Sequence, residues 1–157
     1  MSKRDADSNT IATNRKARFN YSVEEEIEAG LVLTGTEVKS LRAGKAQIND
    51  AFASVKSEEL FLLNAVIAPY EGGNRFNHEE RRPRKLLLHK KQMNKLIGRL
   101  KVKGVTLVAL SLYFNSRGIA KVKLGLATGK KEYEKRDTLK ARDWQRDKAR
   151  IVREKGK

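Results

Sequence analysis

The chain has 157 residues, with 35 Lys+Arg against 19 Asp+Glu and a formal charge of +16. Charge of that size draws a protein to polyanions, nucleic acid first and anionic membrane second, and the length suits one domain with some chain left for tails. There is no cysteine, which excludes disulfides and thiolate metal sites and fits a reducing cytosol, and no apolar run approaches the length that spans a bilayer.

Residues 1–13 are polar and aperiodic, carry no secretory h-region, and read as a flexible N-terminal arm. The stretch Asn14–Tyr21 alternates, with Arg15, Ala17, Phe19 and Tyr21 set against Asn14, Lys16, Arg18 and Asn20. That period predicts a strand with Lys16 and Arg18 on its polar face. Glu24, Glu25 and Glu26 interrupt a basic protein and read as a solvated loop or edge face that limits edge-to-edge pairing. Gly30 then precedes Leu31, Val32 and Leu33, an apolar run suited to a buried strand. After Gly35 the spacing of Val38 and Leu41 becomes helical. Thr36 is the expected N-cap, Glu37 suits the first turn, and Lys39, Arg42 and Lys45 suit the far end, with Gly44 as the stop. The rest of the chain is organised around this strand, turn and short basic helix, which is placed to plug one end of a sheet or barrel.

Two strands follow, Ala51–Lys56 and Leu60–Ile67, close enough across residues 57–59 for a hairpin. Residues 69–83 form a long polar segment that ends among Arg81, Arg82, Arg84 and Lys85. Loops of that length in small domains are usually functional or disordered. Arg84–Leu88 leads into His89–Lys103, where Met93, Leu96, Ile97 and Leu100 lie at i, i+3, i+4 and i+7, an amphipathic helix that Gly104 stops. Thr106–Phe114 and Ile119–Ala127 flank Asn115–Gly118 as a second hairpin. Val122, Leu124 and Leu126 face one way, to the core; Lys121 and Lys123 face the other, as basic surface. At Thr128 the composition shifts: the last 30 residues hold 12 Lys+Arg and 6 Asp+Glu. This segment is predicted to be a basic tail, disordered in solution and helical on a partner.

Together the elements predict a mainly β fold: a closed antiparallel β-barrel of the oligonucleotide-binding type, with short helices and a basic C-terminal tail. The expected organisation is an arm over 1–13, an RNA-binding barrel domain over 14–127 and a tail over 128–157. No enzyme and no cofactor are expected. His78 and His89 show no metal-ligand spacing, and there is neither a Gly-rich phosphate loop nor a nucleophile elbow. Two other functions compete. One is a basic protein of barrel type that binds ribosomal RNA constitutively. The other is a peripheral membrane protein using the tail as an amphipathic helix, for which the tail has too few apolar residues.

Five segments carry a resemblance. Asn14–Tyr21, Glu28–Arg42, Arg84–His89, Leu110–Phe114 and the tail from Gly129 through Trp144 resemble the SsrA-binding protein (small protein B) family of bacterial trans-translation. The match is in order and well spaced from about Asn14 to Ile151. The resemblance implies a cytoplasmic protein that holds the tRNA-like domain of transfer-messenger RNA and, with elongation factor Tu, delivers it to stalled ribosomes for tagging of the nascent chain. Alanyl-tRNA synthetase would act on the same RNA, and no membrane is involved. It implies RNA-binding roles for Asn14, Glu28, Leu87 and Lys121; Lys16, Arg18 and Lys85 are basic neighbours added from the sequence pattern. It implies a ribosome-binding tail in which Gly129, Lys130, Lys131, Tyr133, Lys135 and Arg136 meet the decoding centre of the small subunit. Trp144, Arg150 and Ile151 would belong to a helix in the empty mRNA channel. Tyr133 stands where many members carry His; it keeps an aromatic face but cannot become a cation.

Three of these residues have simpler readings. Glu28 alone is most simply a charge partner of a nearby Lys or Arg. Leu87 is most simply core, unless Arg84–Leu88 is a strand whose alternation turns it outward. Trp144 is either an anchor onto the barrel or a stacking residue for RNA.

Overall fold

The computed structural model describes residues 9–72 and 77–129. In chain order these form β1 (Thr10–Thr13), α1 (Ala17–Asn20), β2 (Tyr21–Leu31), α2 (Gly35–Arg42), β3 (Ala46–Gln47), β4 (Phe52–Lys56), β5 (Glu59–Leu63), β6 (Val66–Ile67), β7 (Arg84–Leu87), α3 (Lys90–Leu100), β8 (Val105–Phe114) and β9 (Ala120–Gly129). The fold is mainly β. Seven strands form one antiparallel sheet in the order β1-β8-β4-β5-β7-β2-β9, and β8 also pairs with β9; β3 and β6 form a separate pair. β9 pairs over equal lengths with β8 and with β2, and Gly118 closes the β8–β9 loop with φ +75. The β4–β5 turn is tighter: Ser57 and Glu58 both take positive φ, as a two-residue hairpin matched to strand twist requires.

The core lies inside this sheet. Leu60, Leu62, Leu86, Leu107, Leu112, Val122, Leu124 and Leu126 are buried on its inner face. Leu41 of α2 and Leu96 of α3 enter the same cluster, and Met93, Ile97 and Leu100 pack against it, so α3 lays down the apolar stripe read from its spacing. No helix among the described residues is long and apolar enough to cross a membrane.

Several expectations change. Thr10–Thr13 is a strand on β8, Thr13 opposite Ser111, and not part of a loose arm. Four residues without alternation give no period to detect. Asn14–Tyr21 is not a strand. Ala17–Asn20 makes one helical turn, with Asn20 N–H donating to the Lys16 carbonyl at 2.9 Å. Ala17 is buried with Val108, Leu110 and Ala127 in a second small cluster, and this contact overrides the period-2 pattern. Glu24–Glu26 lies within β2, beside a bulge between Val23 and Glu25. The strand there ends at Leu31, and Val32 is 45% exposed rather than buried. Thr34, not Thr36, caps α2. Its hydroxyl accepts from Glu37 N–H while the Glu37 carboxylate accepts from Thr34 N–H, a reciprocal box. The predicted strand over 60–67 breaks at Asn64, φ +61, so that Val66–Ile67 leaves β5 and pairs with β3. β9 continues to Gly129, opposite Tyr21, two residues beyond the expected end of the barrel domain.

Candidate nucleic-acid interface

Strand register brings the predicted residues together on the outer face. Tyr113 of β8 lies opposite Lys121 of β9, Lys121 opposite Gly30 of β2, and Gly30 opposite Leu87 of β7. One row therefore crosses four strands. In the next row Ser111 faces Lys123, and Lys123 faces Glu28. On β7, Lys85 points the same way as Leu87 and sits opposite Phe61. Alternation along β7 buries Arg84 and Leu86 and leaves Leu87 50% exposed, so Leu87 is a surface residue and not core.

Gly30 shapes this face by lacking a side chain. The point where its Cβ would stand is 3.3 Å from Leu87 Cβ and 3.5 Å from Lys121 Nζ. A leucine and an ammonium therefore meet over bare backbone, and a β-carbon there would press on Leu87 Cβ and come into contact with the ammonium. Glu28 is not in the charge pair that its sequence context favoured. It accepts a hydrogen bond from the Tyr113 hydroxyl. Among the described residues neither Glu28 nor Lys121 forms an ion pair. Burial, and next the hydrogen bond to Glu28 and its negative charge, raise the Tyr113 phenol well above its usual range, so it is a neutral donor at every physiological pH.

Arg18 joins the face through Glu26, whose carboxylate holds Arg18 on one oxygen and approaches Lys123 Nζ at 3.8 Å on the other. Arg15, Arg18, Glu26, Ser111 and Lys123 line a cleft of about 560 Å³. Lys16 lines another, of about 350 Å³, with Asn20, Tyr21, Asn49 and Asp50. Lys85 holds Glu59 at 3.0 Å. Exposed pairs of this kind contribute about 0–1 kcal/mol, so exchanging a carboxylate for a phosphate costs these cations little. Asn14 differs from the rest. It is buried; its side-chain amide donates to the Ala109 carbonyl at 2.9 Å and its backbone N–H to the Leu110 carbonyl at 2.8 Å. It ties the α1 turn to the bulge in β8 and sets the cations of α1 from behind.

The start of β7 is fixed from inside. The fully buried Glu37 carboxylate receives Arg84 at 2.5 Å and Arg82 at 2.6 Å. Arg84 also donates to the Ala65 carbonyl at 2.7 Å and the Glu80 carbonyl at 3.1 Å. Arg84 looked like one more cation of a basic run, yet it is an internal tie. The loop before β7 is held to α2 by Ser40 donating to the Ala68 carbonyl at 2.7 Å, and by Thr36 and His78 Nδ1 at 2.9 Å. His78 Nε2 lies 2.9 Å from the Ile67 carbonyl, which can only accept, so Nε2 donates there.

Sequence reasoning named Glu28, Lys85, Leu87 and Lys121 and passed over Gly30, Tyr113 and Lys123 as site residues. A glycine inside a strand and the outward alternation of Tyr113 and Lys123 were the available signals. Gly129 ends β9; Lys130, Lys131, Tyr133, Lys135, Arg136, Trp144, Arg150 and Ile151 lie outside the described residues.

A family model described as SmpB protein matches residues 11–154. The chain is 59% identical over 145 residues to an SsrA-binding protein of Rickettsia canadensis, covering 92% of this chain and 95% of the relative. It is 58% identical over 146 residues to one of Methylobacterium nodulans, covering 93% of each. It is also similar to a chain of a solved structure, "tmRNA-SmpB: a journey to the center of the bacterial ribosome", with TM-score 0.64 and 55% identity over 76% of this chain and 84% of that one. With its sheet, its cationic outer row and a match along nearly its whole length, the chain belongs to the SmpB family of SsrA-binding proteins.

Proposed function

We propose that this protein binds the tRNA-like domain of transfer-messenger RNA on the outer face of β2, β7, β8 and β9 and carries it to stalled ribosomes for trans-translation. The observation that carries this reading is the row Tyr113–Lys121–Gly30–Leu87 with Glu28 beside it: an exposed apolar side chain, a lysine in no ion pair among the described residues and an ordered carboxylate within one patch. Leu87 packs on an unstacked base or sugar, Lys121, Lys123 and Lys85 take phosphates, and Glu28 accepts from base or ribose donors. Lys16 and Arg18 extend the cationic border, and Asn14 acts by positioning them. The strands whose pairings run from β8 through β4, β5, β7, β2 and β9 back to β8 support the reading of a closed barrel of the oligonucleotide-binding type. Elongation factor Tu shares the delivery complex, alanyl-tRNA synthetase acts on the same RNA, and the setting is the cytoplasm. The protein acts by binding, without catalysis of its own. The tail beyond Gly129 contributes its cations to the ribosomal mRNA channel.

The test is to isolate the tagged protein from cells and sequence its bound RNA. One dominant transfer-messenger RNA is expected; a spread of ribosomal RNA would overturn the reading. In vitro, Leu87→Ala is expected to weaken binding by about tenfold or more, on the scale of burying a leucine side chain, with stability changed by about 0.5 kcal/mol or less, as at exposed sites. A loss of about 2–5 kcal/mol, typical of core truncation, together with unchanged affinity, would remove Leu87 from the site.

A further inference from the structure

We infer that Tyr113 is a positioning residue for RNA recognition, holding the Glu28 carboxylate in a fixed orientation on the binding face. The inference rests on the proposed use of that face. An exposed glutamate samples many rotamers, and ordering such a side chain costs up to about 2 kcal/mol. Here the ordering precedes any ligand. Glu28 Oε2 accepts from the Tyr113 hydroxyl across 85 residues of sequence. Tyr113 is itself half-buried, with its backbone fixed opposite Lys121. Its phenol has no other hydrogen-bond partner among the described residues.

The chemistry sets what the pair can read. A carboxylate only accepts. On a face that attracts phosphates it rejects them and selects N–H or O–H donors, which in RNA are exocyclic amines, imino groups and the 2′-hydroxyl. With Tyr113 on Oε2, Oε1 remains for the RNA. Lys123, opposite Glu28 in register, is placed to take the neighbouring phosphate. The pair turns a mobile negative charge into an acceptor of fixed direction, and so adds selectivity to a surface whose other charges attract any polyanion.

The test is a double-mutant cycle on the full chain, using the tRNA-like fragment of transfer-messenger RNA as probe, with a thermal melt of each variant. Tyr113→Phe keeps the ring and removes only the hydroxyl. It is expected to weaken binding about tenfold or more, the scale of one hydrogen bond to a charged group. The melting temperature and the salt dependence of binding should stay as in the parent, because no phosphate contact is lost. Glu28→Ala should weaken binding at least as much, and the double variant should match Glu28→Ala alone. If Tyr113→Phe binds like the parent while Glu28→Ala is weak, or if the two effects multiply in the double variant, Tyr113 does not act through Glu28 and the inference fails on its own. If Glu28→Ala also binds like the parent, the assignment of this face fails and the inference falls with it.

Discussion

A chain ending at Gly129 is expected to bind transfer-messenger RNA nearly as well as the full chain and to support no tagging of nascent chains on stalled ribosomes. The cut belongs after Gly129 because β9 pairs with β2 as far as Tyr21 and with β8 as far as Val105. Ending at Ala127 removes two residues from the sheet and confounds tail loss with strand loss. The outer row and the clefts beside α1 remain whole in the shorter chain. The segment removed holds 12 of the 35 Lys+Arg and only 6 of the 19 Asp+Glu. Its gain from neutralising phosphates is expected only along a groove free of message, where mRNA would otherwise compete through the same charges and volume. Gel shift on the isolated RNA and a tagging assay on stalled ribosomes check the two halves. Tagging at the full rate would refute the role given to the tail, and loss of affinity for the isolated RNA would make the tail part of the primary grip.

Glu37→Gln is expected to lower stability by about 3–5 kcal/mol, because it leaves the buried Arg84 guanidinium without its counter-charge. For a domain of this size the melting temperature should fall on the order of 10 °C. A loss below about 1 kcal/mol, the worth of an exposed pair, would show that the cluster is solvated. The same cluster gives the pH response. Burial alone would raise the Glu37 carboxyl; hydrogen bonds from Arg82 and the Thr34 backbone, and the charge of Arg84, outweigh it and hold the group below its ordinary 4.5. With the folded value under the unfolded one, this stability is fully present above pH 4.5 and is lost as the pH falls through the folded value. Acid melts should therefore show the parent losing stability below pH 4.5 by an amount that Glu37→Gln does not lose, since the amide cannot take up the proton.

Local pattern reached as far as single elements. The exposure of Leu87 followed from alternation, once Arg84–Leu88 was taken as a strand. The packing face of α3 followed from Met93, Leu96, Ile97 and Leu100. What depended on register between distant strands did not follow. Tyr113 reaches Glu28 only because β8 and β2 both pair with β9, and the shift between Ala109 and Ser111 is part of that alignment. The α1 turn was hidden because Ala17 answers to Val108, Leu110 and Ala127, none of them near it in sequence. Arg84 could not be told from Arg81, Arg82 and Lys85 by type; only the fold puts it beside Glu37. The tail's role rested on charge density and on the resemblance.

Glu24, Glu25 and Glu26 of β2 bear on how nucleic acid approaches. Glu24 holds Arg99 at 2.6 Å and Glu25 reaches Lys95 at 3.5 Å, both on α3, while Glu26 serves Arg18 and Lys123. On the α3 side Glu24 and Glu25 bring the local charge of Arg99 and Lys95 near zero, so that end of β2 is expected to offer an incoming phosphate chain less net attraction than the Lys121 row. A protein of charge +16 surrounded by cellular RNA risks being coated from every side. A neutralised margin next to the Glu28 patch gives the binding surface a boundary. An RNA that slides toward α3 is expected to lose phosphate attraction there, so the two glutamates that fasten α3 would also act as a compass for docking.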